Sequence, residues 1–139
     1  MVNNQNKGVQ KMKITGDNIV EYTKTLSELK DEKLPIRISV AIAYNLTMLE
    51  PIYNIISNSL ISLANEYGKR DENGNIVRNG DNVILQEDKI QEANEKVKVL
   101  NSEEFELKAL KKIKMDDLYQ VQALSPRDIM ALTFMIEEE

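Results

Sequence analysis

Apolar residues along this chain recur with two different periods, and the changes from one period to the other divide it into elements. Met12 and Ile14 alternate with Lys11 and Lys13, the pattern of a short edge strand. Thr15-Gly16-Asp17 then supplies a helix N-cap, and Ile19, Tyr22, Leu26 and Leu29 follow at steps of three, four and three. That spacing places all four on one face of a helix ending near 30–33. The opposite face carries Glu21, Lys24 and Glu28, a mixed-sign surface suited to water.

Leu34-Pro35 marks the next boundary, because proline suits a first helical position and pushes the residue before it out of the α region. Beyond it Ile42, Leu46, Leu49, Tyr53, Ile56, Leu60, Leu63 and Tyr67 recur at alternating steps of four and three. This is a heptad-type seam on a helix over about 36–67, which would approach roughly 50 Å in length. Met48, Ile52, Ile55 and Ile61 form a second stripe, so the helix is expected to be central and touched on more than one side. Internal packing is the first expectation for the seam, and dimerisation the alternative. Pro51 falls opposite the seam; it removes one backbone hydrogen bond and predicts a kink or break near 47–50. Gly68 then closes the helix.

From 68 to 88 the composition turns to Gly, Asn and charge. Asn73-Gly74 and Asn79-Gly80 are strong turn signals, and the apolar pairs around them predict a β-hairpin over about 75–85 with Asn79-Gly80 at its tip. Asp71, Asn73 and Asn75 repeat at the spacing of a calcium loop. The loop is incomplete: Ile76 stands where glycine is required and Asn82 where a bidentate glutamate is required. A third helix opens near Asp88 with Ile90, Ala93, Val97 and Leu100 inward and ends at Asn101-Ser102.

Phe105 to Leu110 alternates again, predicting a strand that pairs with the hairpin or with the N-terminal strand. Lys108, Lys111, Lys112 and Lys114 form a basic cluster. It reads first as a charged edge that discourages aggregation, and second as a contact for an acidic protein or RNA. Glu103-Glu104 and Asp116-Asp117 are paired carboxylates, but no phosphate-cradling glycine loop accompanies them, so no metal is assigned. Ser125-Pro126-Arg127-Asp128 has the form of a capped helix start, predicting a helix from Pro126 toward Glu139. Glu137-Glu138-Glu139 opposes that helix's dipole. Met130, Phe134 and Met135 are expected to pack in the core, with an adaptable docking surface as the alternative.

Composition narrows the chemistry. The 139 residues contain no His, Cys or Trp, which excludes imidazole bases, thiol nucleophiles, disulfides and zinc knuckles. Only 5% of residues are aromatic against 42% hydrophobic, so aliphatic side chains must build the core, as in helix-on-helix packing. A formal charge of −5 argues against general affinity for nucleic acid. No apolar signal segment opens the chain and no long apolar run crosses it, so a cytoplasmic location is expected and no membrane partner. Asn45-Leu46-Thr47 matches a glycosylation acceptor by chance in that setting. The expected fold is mainly α with minor β: antiparallel helices around a long central helix, with a β-hairpin and a small antiparallel sheet. Residues 1–10 are a polar extension and 11–139 one domain.

Several punctuating segments occur in a distinctive order. They are Leu34-Pro35, Leu49-Glu50-Pro51, Glu66-Tyr67-Gly68-Lys69, Asp71-Glu72-Asn73-Gly74-Asn75, Lys112 through Leu118, and Leu124-Ser125-Pro126-Arg127-Asp128-Ile129. In this order the chain resembles a family of small phage and prophage proteins of low-GC Gram-positive bacteria that form a domain of unknown function. The resemblance covers about 34–136 and implies a virion or assembly role; it carries over no catalytic or ligand-binding residues. The expected function is a non-enzymatic phage accessory acting through protein–protein contacts, in the host cytoplasm or on the virion. The alternative is an inhibitor of a host defence system, such as an anti-CRISPR or a sequestering protein for a nucleotide signal. The partners are then phage or host proteins or a second copy, and no cofactor is assigned. Candidate contact residues are Met130, Phe134, Met135, Lys111, Lys112 and Lys114.

Overall fold

A computed structural model describes residues 10–119, 121 and 124–137. The fold is mainly helical with two small antiparallel sheets of two strands each. Strand β1 (Lys11–Thr15) runs directly into α1 (Gly16–Leu29). The Thr15 hydroxyl is spent on the Asp17 carboxylate rather than on a cap to the backbone, and that hydrogen bond holds the Asp17 pKa below its ordinary value. Gly16 instead donates its N–H to the Glu103 carbonyl at 2.9 Å. A Cβ on Gly16 would sit 2.4 Å from the Leu100 carbonyl oxygen, so a side-chain-free residue is what lets the two segments meet.

The long helix α2 spans Ile36–Tyr67. The break expected at 47–50 is absent: the helix continues through Pro51. Pro51 and Thr47 both face solvent, so water can satisfy the Thr47 carbonyl that proline leaves without an N–H partner. The Thr47 hydroxyl turns back to the Ala43 carbonyl at 3.0 Å. Ile38, Ala41, Ile42, Leu46, Leu49 and Ile56 enter the core against Ile19, Leu26 and Leu29 of α1.

After α2 the chain folds back through β2 (Arg78–Asn79) and β3 (Asn82–Val83). The turn sits one residue later than expected, because Asn79 pairs with Asn82 and leaves Gly80-Asp81 at the tip. Gly80 has φ +64° and, among the described residues, no non-glycine has positive φ, the pattern of a type II′ turn with glycine first. The Asp71 carboxylate accepts the N–H groups of Asn73 and Asn75 at 2.9 and 3.0 Å, so it organises its own loop. Helix α3 (Ile90–Ser102) leads into β4 (Glu104–Lys108), shorter than the strand expected to reach Leu110. Of the two partners anticipated for this strand, β1 is the one it takes, with Met12 opposite Leu107 and Ile14 opposite Phe105.

The last part departs most from expectation. A short α4 (Met115–Tyr119) precedes α5, which covers only Pro126–Ala131. Ser125 and Asp128 do form the expected reciprocal cap. After α5 a single 3-10 turn (Thr133–Met135) follows, and the chain then extends at Ile136 to bond the segment beside it: Ile113 donates to the Met135 carbonyl at 2.8 Å, and the Glu137 N–H donates to the Ile113 carbonyl at 2.7 Å. Glu138 and Glu139 lie outside the described residues, as does the polar segment 1–9. Buried side chains from Ile14 to Met135 form one cluster.

Candidate functional site

A helix on a protein surface normally carries charge on its outer side. Helix α2 does not. Its 32 residues include Arg37, Glu50 and Glu66 as the only charged side chains, although 29% of the whole chain is charged. Ile36, Val40, Ala43, Thr47, Pro51, Asn54, Asn58, Ile61 and Asn65 step by three or four along it; all nine are exposed and none is charged. The stripe runs roughly 45 Å, the length of the helix. Ile36 is 75% exposed and Ile61 58%, and Ile55 on the stripe's flank is 57% exposed. The second apolar stripe was expected to be covered from another side of the molecule; instead Ile55 and Ile61 face outward, and Met48 and Ile52 are half-buried. The seam itself loosens at Leu60, which is exposed, and Leu63, which is half-buried, before closing again at buried Tyr67.

At its N-terminal end the stripe opens into a cleft of about 370 Å³. Ile36, Arg37 and Val40 form one wall, and 111–114 with Asp117 and Glu137 form the other. The second wall is held by Asn45, whose side chain is fully buried. Its amide donates to the Lys111 carbonyl at 3.0 Å and its carbonyl accepts the Lys111 N–H at 2.7 Å. This pair of bonds replaces a neighbouring strand, while Ile113 is buried and paired with Ile136. Lys111, Lys112 and Lys114 are thereby left on the surface, with the Lys112 ammonium donating to the Phe134 carbonyl at 2.9 Å.

The expected contact residues separate. Lys111, Lys112 and Lys114 gather at the cleft with Arg37. Met135 is fully buried, so its side chain belongs to the core and contacts the Asn45 amide through sulfur. Phe134 stacks on Tyr22 with ring centroids 3.8 Å apart and is half-buried. Met130 is exposed, on a surface it shares with Phe134 and Glu21. Asp116 and Asp117 open α4, and among the described residues no three acidic side chains converge to hold a metal ion. Sequence reasoning missed Asn45 as a structural residue, although a lone amide between Ile42 and Leu46 on an apolar face was its signal.

No family model, curated protein or solved structure matches this chain. Among the described residues no helix is long and apolar enough to cross a membrane, which separates α2 from a membrane span despite its few charges.

Proposed function

We propose that this chain is a non-enzymatic accessory protein of a phage or prophage that docks on another protein through the outer face of α2, in virion structure or its assembly. The uncharged exposed stripe carries this reading. Desolvating charged side chains opposes association, and interface centres are correspondingly poor in charge. A face with so few charges, in a chain rich in charge, fits burial against a partner. The absence of His and Cys supports the non-enzymatic part, and the sequence resemblance supports the phage setting.

The test pairs Ile55→Glu with Ile61→Glu in a tagged chain expressed during phage infection. Both side chains are exposed, so unfolding free energy should change by no more than about 0.5 kcal/mol. Wild type should co-purify with a virion or assembly protein that the double variant loses. Retention of that partner by the folded variant would reject α2 as the docking face. Recovery of only a nuclease or a nucleotide-signalling effector would reject the assembly role in favour of defence inhibition.

A further inference from the structure

The cleft at the head of the stripe has a chemistry the stripe lacks. Among the described residues, Arg37, Lys111, Lys112 and Lys114 line it with Asp117 and Glu137 as counter-charges, in a chain of formal charge −5. Among the described residues, none of these four cations is within ion-pair distance of a carboxylate, whereas Lys11 and Lys96 each have one. Grouped cations raise the local potential and attract anionic groups. The group is also fixed in place: Asn45 grips Lys111 from beneath, and Ile113 is bonded to the chain on either side of Ile136. Between the cations lies aliphatic surface, Ile36 and Val40, both exposed. The volume suits a few side chains rather than a folded domain.

We infer that this cleft binds an acidic peptide segment of a partner protein, in which carboxylates flank an apolar side chain. The carboxylates meet Lys111, Lys114 and Arg37, and the apolar side chain covers Ile36 and Val40. Charge complementarity selects the acidic class, and the aliphatic surface selects a peptide over a simple anion. Single-stranded nucleic acid fits poorly because its bases stack on aromatic rings and no aromatic residue lines the cleft. The inference deepens the docking reading above, since Ile36 and Val40 belong to both the cleft and the stripe.

Fluorescence anisotropy with the full chain tests it, using labelled synthetic peptides that alternate Glu with Leu, Glu with Ser, or Lys with Leu. The Glu-Leu peptide should bind most tightly and weaken as salt rises. Lys111→Glu with Lys114→Glu should weaken it about tenfold. Ile36→Ser should reduce it to the level of the Glu-Ser peptide. Arg37→Gln provides a second, gentler charge variant should the double reversal fail to fold. Equal binding of the Lys-Leu peptide, unchanged Glu-Leu binding in the folded variants, or tighter binding of a single-stranded oligonucleotide overturns the inference. The Ile55→Glu, Ile61→Glu chain is altered about 28 Å or more along α2 from Ile36 and should keep the peptide. Loss of peptide binding in wild type, alongside a cellular partner that depends on Ile55 and Ile61, rejects the cleft and leaves the stripe standing. Peptide binding with no such dependence does the reverse.

Discussion

Asn45 shows how one residue can decide the placement of a segment sixty-six positions away. Both of its polar groups are buried and both are satisfied by the Lys111 backbone. Asn45→Ala would remove both bonds and leave the peptide groups of a partly covered segment unpaired, a destabilisation of about 2–3 kcal/mol. Urea unfolding checks this, and backbone amide exchange at Lys111 should accelerate in the same variant. An unchanged midpoint would mean that water replaces the amide without penalty. The sequence showed a lone amide on an apolar face but not what it binds, because its partner is a backbone group, and backbone groups leave no mark on sequence. Gly16 is similar: the Leu100 carbonyl that excludes a Cβ there is fixed by packing between distant segments.

Among the elements, those set by local rules were read closely. The boundaries of α2 follow from Pro35 and Gly68, and the cap of α5 from Ser125 and Asp128. Elements set by competition were not: α5 gives up its length to the pairing of Ile113 with Ile136, and the pattern of apolar residues from Ile129 to Ile136 is equally compatible with a longer helix. The hairpin turn moved one residue because only its glycine takes positive φ. Pro51 was expected to kink or break α2; the helix is unbroken, and the proline's position on the solvent face leaves only one hydrogen bond missing. Pro51→Ala would restore that bond and should stabilise the protein by about 1–3 kcal/mol, read as a higher midpoint in thermal unfolding. A lower midpoint would show that the proline-set shape of α2 is needed for packing.

For the molecule as a whole, α2 supplies much of the core and also an exposed face poor in charge. Its two sides should respond differently to truncation. Leu49 is fully buried, so Leu49→Ala should cost about 2–5 kcal/mol, whereas Ile61→Ala should fall within about 0.5 kcal/mol. Denaturant titrations of the two variants at several protein concentrations make the comparison. A concentration-dependent loss at Ile61 would indicate that a second copy covers the stripe, the alternative the seam raised from the start. The seam's first half is consumed internally, as packing against α1 requires, so any association uses the outer side rather than the seam's buried residues.

The sequence by itself determined the first three helices, where the long one begins and ends, and that no imidazole or thiol chemistry is available, because these depend on local sterics, short-range periodicity and residue identity. Tertiary structure alone decided that the second apolar stripe of α2 faces outward, that Asn45 seats the lysine segment, and that Arg37 joins Lys111, Lys112 and Lys114 around one cleft. Periodicity reveals that a face is apolar; whether a neighbour covers it depends on where distant segments pack.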